Sequence, residues 1–251
     1  MSLEASRAAR EISRALRGKA PARPWEKLQA YVSSPVPVLG VAAPDLREVL
    51  RDFTRAHPRL TIGEVNAVAS ALWALDTFEE RVAAMELFAR HRKILGPASW
   101  GLLDRMAGGA SGWGLCDALG SGPVAAMVFD DPRRFPRLLR WARSRNPWRR
   151  RVAAYGLRGF VRAKELDRPF ELLEILLYDP EFWVQRAVGT WLRECWKVDP
   201  RRTEAFLRSR AKGLPPVVIT VATERASKAF REELRRKRGR SRTRAASRSS
   251  P

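Results

Sequence analysis

The chain has 251 residues, 45% of them hydrophobic, enough to build a core in one extended domain or two small ones. Lys and Arg outnumber Asp and Glu by 48 to 27, a formal net charge of +21, and no run approaches the roughly 18 uninterrupted apolar residues of a membrane helix. Two cysteines (Cys116, Cys195) and two histidines (His57, His91), with no CxxC or HxxxH spacing, argue against a disulfide framework and a zinc site, so neither metal nor cofactor is expected.

Residues 1–24 are rich in Arg and Ala but carry Glu4 and Glu11 and have no apolar centre, which argues against export and for a cytoplasmic location. Apolar stripes at helical spacing follow: Leu46, Val49, Leu50 and Phe53, then Val65, Val68, Ala69 and Leu72, then Val82, Met85, Leu87 and Phe88. No segment alternates as a strand would. Pro and Gly clusters at 35–40, 108–112, 120–123, 146–147, 179–180, 199–200 and 214–216 punctuate the helices, and the short connections favour antiparallel neighbours. Between two of these clusters, Trp113 and Asp117 stand four residues apart and share a helix face, with Gly108–Gly112 as a candidate start for that helix.

A repeat lies in the second half. Trp148-Arg149-Arg150-Arg151-Val152-Ala153 leading to Leu157-Arg158 matches Trp183-Val184-Gln185-Arg186-Ala187-Val188 leading to Leu192-Arg193, at an offset of 35, with a proline before each tryptophan. Helical pairs repeating at this period indicate an all-α solenoid of HEAT-like repeats, because each unit must bury its face on the next. With Val152, Tyr155 and Gly156 assigned to the buried stripe, Arg151 is expected to turn towards a rim or groove. Beyond residue 230 the chain starts as a charged helix and turns Arg/Ser-rich, so 1–230 reads as the repeat domain and 231–251 as a basic, disordered tail. Subtracting the eight basic residues of 235–251 still leaves +13, a charge that suits a polyanionic partner and a concave basic groove for DNA.

The sequence carries no P-loop, GxGxxG or GxSxG, and its two histidines leave no Ser-His-Asp set. Its landmarks, in order, are Val38-Leu39-Gly40-Val41 with Pro44 and Arg47, Leu72-Trp73 with Glu80-Arg81, Trp113 with Asp117, Trp148 with Arg151, and Glu181 through Gly189 running into Leu192-Arg193-Glu194. Over roughly residues 31–225 these landmarks resemble the AlkD-type DNA alkylation repair glycosylases, which are built from HEAT-like repeats. The resemblance implies a monomeric enzyme of base excision repair that binds duplex DNA and hydrolyses the N-glycosidic bond of purines alkylated at N3 or N7. Such bases are cationic and leave without a general acid. Asp117 then matches the catalytic carboxylate, Trp113 an aromatic against the sugar and the cationic base, and Arg151 a phosphate-gripping arginine. Arg47 with Pro44, and more loosely Tyr31, match DNA-contacting positions. Arg149, Arg150, Trp148, Trp183, Arg186 and Thr190 complete the expected DNA surface.

The family's second active-site tryptophan falls on Thr190, with Trp191 beside it. Val184, Ala187, Val188, Trp191, Leu192 and Cys195 form one apolar stripe, which places Trp191 in the core and turns Thr190 away with Trp183. Trp183 partly replacing the missing ring is one expectation, an altered substrate range another. A non-catalytic DNA-binding member of the family, and a HEAT-type scaffold for an acidic protein, remain the competing classes.

Overall fold

The computed structural model describes residues 4–22 and 27–239. The described chain is all-helical, and none of its helices is long and apolar enough to cross a membrane. It divides into two compact units, Met1–Arg134 and Phe135–Pro251.

The first unit begins with α1 (Ala5–Gly18), which buries Ala8, Ala9, Ile12 and Leu16, and a single turn, α2 (Leu28–Tyr31). Next come α3 (Ala43–Ala56), α4 (Ile62–Trp73), α5 (Phe78–Arg90), α6 (Pro97–Gly109), α7 (Trp113–Leu119) and α8 (Ala125–Asp130). The stripes expected on α3 and α4 are the buried ones, Leu46, Val49, Leu50 and Phe53 against Val65, Val68, Ala69 and Leu72. Helix starts follow local chemistry. Thr61 and Glu64 cap α4 reciprocally, and the Thr77 N–H donates to Glu80 Oε2 at 2.9 Å in the first turn of α5.

Glu80 does more than cap. It is buried, and its Oε1 accepts from Ser13 Oγ at 2.5 Å and from Arg17 Nη2 at 3.2 Å, so one carboxylate ties α1 to α5. Burial pushes its pKa up, but the hydrogen bonds from Ser13 and Thr77 and the charge of Arg17 outweigh it and hold the group below the usual carboxylate range. That contribution to stability is therefore present at neutral pH and is lost as pH falls through the lowered value.

The second unit contains α9 (Phe135–Ala142), α10 (Pro147–Tyr155), α11 (Arg158–Arg162), α12 (Asp167–Leu176), α13 (Phe182–Val198), α14 (Pro200–Ser209), α15 (Pro216–Ala222) and α16 (Lys228–Gly239). The 35-residue repeat is written into its hydrogen bonds. The Ser144 hydroxyl accepts the Asn146 N–H at 3.2 Å, and the Asp179 carboxylate accepts the Glu181 N–H at 2.9 Å. Arg150 reaches back to the carbonyls of Ser144 and Arg145, and Gln185 to those of Asp179 and Pro180. Each pair is separated by 35 residues, so both copies start their second helix by the same device.

Helix α16 moves the end of the helical body. Phe230 and Leu234, four residues apart, are both buried, and Arg238 Nε donates to the Leu214 carbonyl at 2.7 Å. The expected boundary at residue 230 thus falls inside a packed helix, because two apolar side chains one turn apart anchor an otherwise charged segment. Residues 240–251 of the basic tail lie outside the described residues.

Candidate nucleic-acid interface

In the first unit the site is built around the start of α7. Helix α6 runs on through Gly108 and Gly109, so of the expected glycine-rich start only 110–112 links the two helices. Gly112 has φ +81°, and a Cβ there would lie 1.9 Å from the Ser33 carbonyl oxygen. Only glycine permits that approach of two backbones. The Gly114 N–H then donates to the Val32 carbonyl at 3.2 Å. A Cβ at Gly114 would meet the Phe78 ring at 3.0–3.1 Å, so the first turns of α7 and α5 are in contact.

This docking fixes the two aromatic rings. Trp113 Nε1 donates to the Tyr31 carbonyl at 2.5 Å, and the two rings meet edge-on, 5.3 Å between centroids at 87°. Trp113 is half-buried, and Tyr31 is 59% exposed. With its N–H engaged by the backbone, the indole cannot rotate freely, and its remaining recognition element is the π face. Asp117 lies one turn along α7, also half-buried, and its own carbonyl accepts the Ser121 hydroxyl at 2.5 Å. Pro44 and Arg47 are exposed on α3, where the Arg47 carbonyl holds Arg90 Nη2 at 2.8 Å.

Periodicity did not disclose what shapes the loop before α3. Glu79 is buried, and its carboxylate accepts the N–H groups of Leu39 and Gly40 at 2.9 and 2.7 Å, which explains the Leu39-Gly40 landmark. Two acids at the head of a helix, Glu79 and Glu80, were the available signal.

In the second unit Arg150 and Arg151 are both held by protein partners. Arg150 is half-buried. Its Nε and Nη2 form a two-pronged pair with Asp179 at 2.6 and 2.9 Å, and its Nη1 donates to the Ser144 and Arg145 carbonyls in the turn between α9 and α10. Arg151 does not turn to a rim. It is 3% exposed, packed against the rings of Tyr155 and Trp183 at 5.1 and 5.7 Å, and donates to the Trp183 carbonyl and to Tyr155 Oη. Tyr155, expected in the buried stripe, is half-buried and supplies one wall. The reason is that α13 brings Trp183 over the face of α10 that the helix's own sequence marks as polar.

Trp148, Arg149, Trp183 and Thr190 are half-buried, with Arg149 5.6 Å from the Trp141 ring, and Arg186 is exposed. Trp191 is 6% exposed within the apolar stripe of α13, where its ring meets Tyr155 edge-on, as the periodicity predicts. Phe182 was not singled out from the sequence. It is 49% exposed, meets Trp183 at 5.1 Å and carries Arg186 over its ring at 5.9 Å, so an aromatic pair with a cation lies on the surface of α13. Its hydrophobicity beside a Pro-containing turn and an N-terminal acid was readable only as a helix start.

These features place the chain in a structural class. Its fold is similar to that of a protein described as a predicted DNA alkylation repair enzyme from Enterococcus faecalis, with a TM-score of 0.70 at 18% identity over 80% of this chain and 94% of the other. It is also similar to AlkD2 from Streptococcus mutans, with a TM-score of 0.62 at 16% identity over 87% of this chain and 98% of that one. At such identities the likeness speaks for the fold. No curated protein matches the sequence. Residues 12–226 match the DNA alkylation repair enzyme family, and the chain belongs to it.

Proposed function

We propose that this protein is a DNA glycosylase that hydrolyses the N-glycosidic bond of purines alkylated at N3 or N7 in duplex DNA. The observation that carries the reading is the pairing, on one exposed-edged face of α7, of a carboxylate with an indole whose N–H is already bound. An alkylated purine is a cation and needs no proton to leave. The barrier lies in the oxocarbenium-like sugar and in the delivery of water, and one fixed carboxylate addresses both. Asp117 takes that part. Trp113 offers its negative ring face to the cationic base or sugar, with Tyr31 bracing the ring from the side. Arg151 is a positioning residue for Trp183, and Phe182, Trp183, Arg186 and the exposed Arg47 contribute DNA contacts.

The test is release of base from duplex DNA carrying 7-methylguanine or 3-methyladenine. Wild-type protein releases it, and Asp117→Asn lowers the rate by about 10²-fold or more, the scale of losing a preorganised electrostatic group, while keeping DNA affinity. Thr190, a small polar residue where the resemblance calls for a second tryptophan, favours one competing reading: a DNA-binding member without chemistry. Tight duplex binding with no base released by wild-type protein would establish that reading instead.

A further inference from the structure

The landmark Leu72-Trp73 with Glu80-Arg81 is only half explained by the fold. Glu80 joins α1 to α5, whereas the Arg81 side chain makes no polar contact among the described residues. Its guanidinium carbon lies 5.4 Å from the centroid of the Trp73 ring, and its Nε is buried with no hydrogen-bond partner. Among the described residues its side chain has no carboxylate within ion-pair distance and makes no hydrogen bond.

Three other arginines laid against rings are each paired with an acid, and Arg186, which lies over Phe182 without one, is exposed to solvent. Arg202 lies over Phe170 and pairs with Asp167 at 2.5 Å. Arg208 lies over Phe230 and pairs with Glu233 at 3.1 Å. Arg168 lies over Phe160 and pairs with Glu165 at 2.9 Å. A half-buried guanidinium that has lost part of its hydration and gained no counter-charge is costly to keep. Stacking on an indole returns part of that cost and also stops the fork from rotating. What remains is a planar set of N–H donors, pre-aimed and lacking an anion. A phosphate, which accepts two parallel N–H bonds, completes such a fork.

Its place in the first unit says which phosphate. Arg81 lies three residues after Phe78 on one face of α5, and the Phe78 ring abuts Gly114, the neighbour of Trp113. Both stand in the first turns of α5. We propose that Arg81, braced on Trp73, is a phosphodiester-binding site that holds the DNA backbone about one helical turn from the Trp113 end of the interface. The inference rests on the DNA-binding reading above.

Equilibrium binding of the full chain to an undamaged fluorescent duplex, measured over a series of salt concentrations, tests it. Arg81→Gln should bind several-fold more weakly, and its log–log salt slope should be shallower than wild type by about 0.9, the signature of one lost phosphate contact. Its thermal midpoint should stay at the wild-type value, because the charge it removes is uncompensated. Arg55→Gln, which removes an exposed surface charge on α3, is the control and should leave the slope unchanged. A wild-type slope and affinity in Arg81→Gln, or an equal change in Arg55→Gln, would overturn the site while leaving the glycosylase reading intact. If Arg81→Gln does not fold, Arg81→Lys replaces it. The charge is kept and the fork lost, so weaker binding at an unchanged slope supports the site, and wild-type affinity overturns it. Wild-type protein that fails to bind duplex DNA even at low salt sinks the DNA reading itself.

Discussion

The two repeat copies in the second unit share a register but not the fate of their cations. Arg150 and Gln185 occupy equivalent positions and make equivalent bonds to the carbonyls five and six residues upstream. Only Arg150 also meets a buried acid, Asp179, which belongs to the second copy. Arg151 and Arg186 are likewise equivalent, yet Arg151 is enclosed by Tyr155 and Trp183 while Arg186 lies exposed on Phe182 of its own helix. A repeat unit therefore fixes a residue's local bonds, and the next unit decides whether its charge is covered.

The largest test of that contrast is Arg150→Ala against Gln185→Ala. Removing Arg150 leaves Asp179 buried and unpaired, an expected loss of about 3–5 kcal/mol, whereas losing the neutral Gln185 bonds should cost about 1 kcal/mol. Chemical denaturation of each variant measures both, and equal losses would break the distinction. Next comes Arg151→Ala, expected to cost about 1.5–3 kcal/mol because a charged donor leaves a buried carbonyl. Arg186→Gln should stay within about 0.5 kcal/mol of wild type but weaken duplex DNA binding. An Arg186→Gln protein with full affinity would remove the α13 surface from the interface.

A third difference is steric. Position 154 is alanine in the first copy, and its counterpart at 189 is glycine, where an added Cβ would lie 2.7 Å from Val221 Cβ of α15. Gly189→Ala should destabilise by about 1–3 kcal/mol through overpacking, read as a lower denaturation midpoint. The smallest effect concerns Cys195, the counterpart of Phe160. Burial pushes its thiol pKa up to about 12, with the Glu194 charge adding to the shift. At pH 8 it stays protonated, so the folded protein should resist iodoacetamide until denaturant is added. Rapid labelling of Cys195 under native conditions would show that the α13 core opens more readily than its packing indicates.

Much of this molecule was legible before any coordinates. The helical stripes on α3 and α4 and the burial of Trp191 beside a half-buried Thr190 follow from a helix reporting its own buried side every three to four residues, whereas on α5 Val82 is only half-buried and Ala83 and Ala84 take the core. The spacing of Trp113 and Asp117 likewise placed both on one face of α7. What the sequence alone did not determine was which polar positions other helices would cover. Arg149, Arg150 and Arg151 read as one DNA-facing triplet, and nothing in their own helix shows that Asp179 pairs with Arg150 or that Trp183 packs on Arg151. Tyr31 gains its role only because Gly112 lets a backbone 82 residues away bind the Trp113 indole. Periodicity is a property of one helix. Burial of a charge, and the orientation of a ring, are set by contacts between segments distant in the chain, and only the tertiary structure contains those.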